Sequence, residues 1–188
     1  MSQFVPVVAP ISRAEIAEEA KLVIARFRPR LLIRPGRFPV LKLFDALGDP
    51  PYNLESGVEE LSSGVEGMVY PDGRVLVNEE TYRGADNEIG RPRFTVSHEC
   101  YHGMKHSKQI RRALTDVGEL VVCRRKNIKP FLDPEWQANE FAGALLMPEQ
   151  MVRLLAAKER RVLLAATMAE AFGVSTQAAE VRLNILKI

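Results

Sequence analysis

The chain has 188 residues, 46% of them hydrophobic, with 26 Lys plus Arg against 24 Asp plus Glu and a net charge of +2. That suits one folded domain, or a domain with a small appendage, and sets disorder aside. The balanced charge gives no general pull toward nucleic acid or an anionic membrane, so any such contact has to come from a local patch.

No run of 18 apolar residues is available to span a bilayer. The opening "MSQFVPVVAPISRAEIAEEA" lacks the basic start and apolar core of a secretory signal. Two cysteines, Cys100 and Cys123, give no disulfide framework, so a reduced, cytoplasmic setting is expected.

In chain order, Ser12 with Glu15 three positions on is a capping box. The helix it opens carries Ile16, Ala20, Val23 and Phe27 on one face and stops at Pro29. "RPGRFPVLKLFDALGDPP" reads as turn, short helix, turn. Val65, Gly67 and Val69 alternate, Pro71 to Gly73 supplies a turn, and Val75 and Val77 alternate again, which is a hairpin signal. "NEETYRGADNEIGRP" is a polar connection with room for one helical turn. From Pro92 to about His106 the pattern is helical.

Residues 111–132 read only as a short apolar element and a basic loop, "CRRKNIK", whose default is solvation. Asp133 and Pro134 restart a helix as cap and first residue, running to a break at Pro148. Another helix follows, then a closing pair in which Gly173 ends the first and Ser175 caps the second. Helix, hairpin, then mostly helices is an α+β order. The expected division is an N-terminal helical segment over 1–60, a core over 61–158 and a C-terminal pair over 159–188, in one compact unit.

All three histidines lie in "HECYHGMKH". His98 and His102 are four apart, so on a helix they face one side, one turn from each other. Two imidazoles so placed bind a metal, zinc suits imidazole and carboxylate donors, and Glu99 is positioned to take a proton from the metal's water. His106 continues the spacing, but a straight helix does not readily wrap three turns around one tetrahedral ion. It is therefore read as a surface histidine or one that supports a ligand.

A third ligand has to come from another element, and "DPEWQANEFAGALLMP" is the best supplier. Glu135 and Asn139 are four apart and share a face, with Glu135 as oxygen donor and Asn139 orienting a ligand histidine. Glu140, on a different face, competes with Glu135.

Three blocks in order, "RPRFTVSHECYHGMKH", "EWQANEFAGALLMP" and "FGVSTQAAEVRL", resemble the ImmA/IrrE family of zinc-dependent endopeptidases. The family's pattern is similar to R-x-R-F-T-x-x-H-E-x-x-H, then E-x-x-A-N/D-x-F-A-x-x-L-L-M-P, then V-S-x-x-A-x-x-x-R-L. The likeness runs from about residue 64 to the end and is loose before it. It implies a zincin-like fold: a small antiparallel sheet packed on the H-E-x-x-H helix, with a C-terminal helix-turn-helix-like pair. It also implies zinc on His98, His102 and Glu135, with manganese as an alternative activating metal, and Glu99 as catalytic base.

The implied substrate is a helix-turn-helix transcriptional repressor, cut in a stress or mobile-element response. The alternative is a zinc-binding protein without turnover that sequesters a regulator; the base and the three ligand positions are intact, which favours the enzyme. One departure is Cys100-Tyr101 where the family usually has a small residue, so Tyr101 is expected to narrow the cleft or reach into it. The last helix offers Thr176, Gln177, Glu180, Arg182 and Asn184 outward with one basic residue among them, so DNA binding is not expected. The hairpin strand "GRVLVN" is expected to pair with an extended substrate as a sheet edge.

Overall fold

The computed structural model describes residues 4–115, 122–124, 128–158 and 164–188. They form a mixed, mostly helical fold with two small sheets. No helix among them is long and apolar enough to cross a membrane.

Strand β1, Phe4–Pro6, pairs antiparallel with β5, Val122–Arg124. Helix α1, Arg13–Phe27, opens on a complete capping box: Glu15 N–H donates to Ser12 Oγ at 3.2 Å, and Ser12 N–H to Glu15 Oε2 at 2.8 Å. Its buried stripe of Ile16, Ala20, Val23 and Ile24 lies along α6. Phe27 is only half-buried and meets Phe38 edge-on. Short helix α2, Val40–Asp45, follows.

The principal sheet has three strands: β2, Glu55–Val58, β3, Gly67–Val69, and β4, Arg74–Val77, in the order β2-β4-β3. The hairpin β3–β4 is antiparallel, with Met68 opposite Leu76. The sequence missed β2, which runs parallel to β4, so the sheet is mixed rather than antiparallel. This strand shows neither an alternating pattern nor a buried apolar run, the two signals that mark a strand in sequence. Its presence also corrects the role expected of "GRVLVN". β4 is the central strand, with Val75, Leu76 and Val77 all buried and both edges paired. The edge is β3.

Helix α3, Glu79–Asp86, capped by Asn78 on Thr81 N–H, is longer than the single turn expected. Helix α4, Gly90–Tyr101, carries His98 and Glu99 and runs into a π-helical turn, His102–His106, and then α5, Ser107–Thr115. Helix α6, Pro134–Leu146, begins with Asp133 accepting from Glu135 N–H and is buried along most of its length. It packs against both α1 and α4. Helix α7 spans Glu149–Lys158.

Helices α8, Ala165–Phe172, and α9, Thr176–Leu186, meet at Gly173, whose φ of 65° is the left-handed conformation that closes a helix at little cost for glycine. Ser175 caps α9 on Ala178 N–H. Residues 125–127 of the basic loop and residues 159–163 lie outside the described residues.

The α8–α9 turn is bound tightly to α4. A Cβ on Gly90 would stand 2.2 Å from the backbone carbon of Val174. Arg93, 2% exposed, donates from Nε to Gly173 O and from Nη2 to Phe38 O, both at 2.8 Å. The helix that carries the histidines and the closing helix pair therefore share one rigid joint.

Candidate metal centre

Helix α4 and the start of the π turn that continues it set His98 and His102 one turn apart, and their Nε2 atoms lie 2.9 Å from each other. Glu135, in the first turn of α6, brings Oε1 to 3.3 Å from His102 Nε2 and Oε2 to 3.6 Å from His98 Nε2. Among the described residues these three form the one cluster of potential metal donors, with ligand atoms all within 4.8 Å of one another.

The hydrogen bonds around the rings decide where their protons sit. Asn139 Oδ1 is 3.1 Å from His98 Nδ1 and, being an acceptor, places a proton on that nitrogen. His102 Nδ1 is 2.9 Å from His106 Nδ1. Two imidazole nitrogens and a carboxylate converge on one point, where a positive charge, a proton or a metal ion, offsets their mutual repulsion. Two nitrogens and one carboxylate oxygen make a donor set suited to a divalent metal ion.

The ionisable groups of the cluster also act on one another. Burial works against a charged His98, but Glu135 and Glu99 offset it and hold its pKa above the ordinary value. The imidazoles of His102 and His98 hold the Glu135 carboxyl well below the usual carboxylate range, against burial. Burial raises the Glu99 carboxyl, with His98 and His102 pulling the other way.

The centre opens into a cleft of about 1100 Å³. One wall is edge strand β3 with the segment before it. The floor is α4, at Phe94, Thr95, His98 and Glu99. The far wall comes from α6 and from one face of α9, at Gln177, Ala178, Val181 and Ile185. Glu66 ties α4 to the β3 side, accepting from Thr95 Oγ1 at 3.1 Å and pairing with Arg91 at 2.6 Å. Gly67 lies directly against Glu99.

The family profile described as Peptidase_M78, IrrE N-terminal-like domain, matches residues 85–184. The chain belongs to this peptidase family. The matched segment of this IrrE-like chain contains the whole His98–Glu99–His102–Glu135 constellation and the α9 wall as far as Val181. A solved structure, a Mycobacterium tuberculosis transcriptional regulator, is similar at TM-score 0.59 and 18% identity over 91% of this chain. The chain spans 46% of that protein's length, and the likeness is one of fold. No curated protein matches the sequence.

The competitor Glu140 does not approach the centre; it is buried and held by Arg13 Nε and Nη2 at 2.8 and 2.7 Å. Other sequence expectations change in this IrrE-like domain. His106 is 1% exposed, so the surface alternative is wrong. The π turn carries it under His102 and away from the ligand cluster, and burial pushes its pKa down to about 3, leaving a neutral ring.

Tyr101 neither narrows the cleft nor reaches it. It stacks on Phe141 with centroids 4.4 Å apart, and its hydroxyl donates to Glu19 at 2.8 Å. Arg182 is not outward but 4% exposed, donating to Met147 O at 3.1 Å. Thr176, Gln177, Glu180 and Asn184 are exposed. The sequence reading missed Gly67 and Gln137, neither of which carries a signal without knowledge of its neighbour in space.

Proposed function

We propose that this protein is a zincin-like, zinc-dependent endopeptidase that cuts one regulatory protein, a helix-turn-helix transcriptional repressor, rather than protein in general. The observation that carries the reading is the convergence of His98 Nε2, His102 Nε2 and Glu135 on one point, with Glu99 beside it at the floor of a long open cleft. Membership of a peptidase family supports it.

His98, His102 and Glu135 would hold the ion. Bound zinc supplies a Lewis acid that polarises the scissile carbonyl and lowers the pKa of a water. Glu99 takes a proton from the attacking water on a carboxylate oxygen, the water oxygen bonds to the carbonyl carbon, and the C–N bond breaks as that proton passes to the leaving nitrogen. Burial that raises the Glu99 carboxyl favours this exchange, because it brings the group nearer to a base that can also give the proton back. The open edge of β3 offers main-chain groups to an extended segment of substrate.

Strand pairing is weakly selective, so selectivity rests on the far wall. There α9 presents apolar Val181, 54% exposed, and Ile185. With Arg182 buried, the outward face of α9 has no basic residue, which supports contact with protein rather than DNA.

The test is incubation with casein and with transcriptional regulators encoded beside the gene, with zinc or manganese present. One cut in one regulator and none in casein is expected, abolished by chelator and by Glu99→Gln, which should cost on the order of a hundredfold or more. Broad digestion of casein refutes the selectivity. No cut in any regulator under either metal refutes the peptidase reading.

A further inference from the structure

His106 is buried, belongs to neither the donor cluster nor the cleft, and still touches a donor ring. Its surroundings fix its proton. Gln137, 0% exposed, donates from Nε2 to two main-chain carbonyls, Ala9 O at 3.0 Å and Phe131 O at 2.9 Å. Both amide hydrogens are used, so the other amide atom is the oxygen, and its orientation is not open to exchange. That Oε1 lies 3.0 Å from His106 Nε2 and can only accept. His106 therefore carries its proton on Nε2, and its Nδ1 is an acceptor. The same Nδ1 faces His102 Nδ1 at 2.9 Å, which must then donate. His102 Nε2 is left with its lone pair aimed at Glu135 and His98.

We propose that Gln137 and His106 form a two-step relay that fixes the tautomer and ring angle of His102 and so sets the metal affinity of the site. This rests on the reading of His98, His102 and Glu135 as the metal site. The two ligand histidines are then oriented unequally. His98 is steered by one amide, Asn139. His102 is steered through a second imidazole and an amide by main chain at residues 9 and 131. His106 and Gln137 are positioning residues, and neither touches the metal or the substrate.

The site then depends on main chain outside the histidine helix, in one case far from it in sequence. Ala9 precedes α1 by a few residues, and Phe131 lies just before α6. Their carbonyls hold the amide that holds the ring.

The test is zinc affinity of the full chain, by competition with a chromophoric chelator, for wild type, His106→Leu and His106→Asn. Asparagine places an oxygen acceptor near the position of Nδ1; leucine fills the space with no acceptor. The leucine variant should lose about 10–100-fold in affinity, the usual cost of removing a partner behind a metal ligand, and the asparagine variant should recover most of it. Nitrogen-15 spectra of the wild-type rings should show His106 protonated on Nε2 and His102 on Nδ1.

Wild-type protein that takes up no zinc overturns the metal centre itself. A leucine variant with wild-type affinity, an equal loss in both variants, or His106 protonated on Nδ1 overturns the relay while the centre stands. If the leucine variant does not fold, as circular dichroism would show, the wild-type ring spectra decide alone.

Discussion

Gly67 and Glu99 are in contact: a Cβ on Gly67 would stand 2.5 Å from Glu99 Cγ and 3.2 Å from Oε1. The edge strand and the proposed base meet with no side chain between them, so a substrate segment paired on β3 passes directly beside the carboxylate.

Gly67→Ala should therefore push the Glu99 side chain aside instead of unfolding the protein, because the clashing atoms belong to a flexible side chain. Zinc content should be unchanged and turnover of a validated substrate should fall by about a hundredfold, the scale of an ångström's misplacement at a reacting group. Wild-type turnover would show that the position of Glu99 does not matter.

Glu135→Ala should lower zinc content sharply, measured by elemental analysis after purification without added metal. Glu140→Ala should leave zinc content intact. It should instead lower the unfolding free energy by about 1–3 kcal/mol, since it removes a buried acceptor that takes two bonds from Arg13. The opposite pattern would exchange their roles.

Tyr101→Phe should leave cleavage and zinc content unchanged, because the ring faces Phe141 and the hydroxyl meets Glu19. Loss of that hydrogen bond should cost about 1 kcal/mol of stability in chemical denaturation. A change in substrate preference would mean that the residue reaches the cleft after all.

Val181→Asp tests the far wall. The residue is more than half exposed, so the fold should tolerate the change. KM for the validated substrate should rise about tenfold, the scale for replacing a good apolar contact with a charge, with kcat and zinc content nearly constant. A fall in kcat alone would place α9 outside substrate binding.

What the sequence discloses here follows the range of the interactions. The facing of His98 and His102, the Ser12–Glu15 box and the Gly173 and Ser175 caps depend on residues within one helical turn, and each is legible from spacing. The β3–β4 hairpin is legible because its turn is local and its strands alternate. Strand β2 is not, because its contribution is main-chain pairing to a strand that begins 16 residues after it ends. The fate of His106 depends on a π turn and on Gln137, 31 residues away. Tyr101 is decided by Glu19, 82 residues earlier, and Arg182 by the carbonyl of Met147. The misreadings of His106, Tyr101 and Arg182 each concern a polar group whose partner is distant in the chain.

The contact of Gly90 with the backbone of Val174 and Ser175 sets a gauge. Where α4 meets the turn into α9, backbone touches backbone, with no side chain in the gap to compress or to swap rotamers. The distance between floor and far wall at that end is thus independent of which side chains line it. Gln177 and Val181, both exposed, can therefore be exchanged without altering the width of the cleft there.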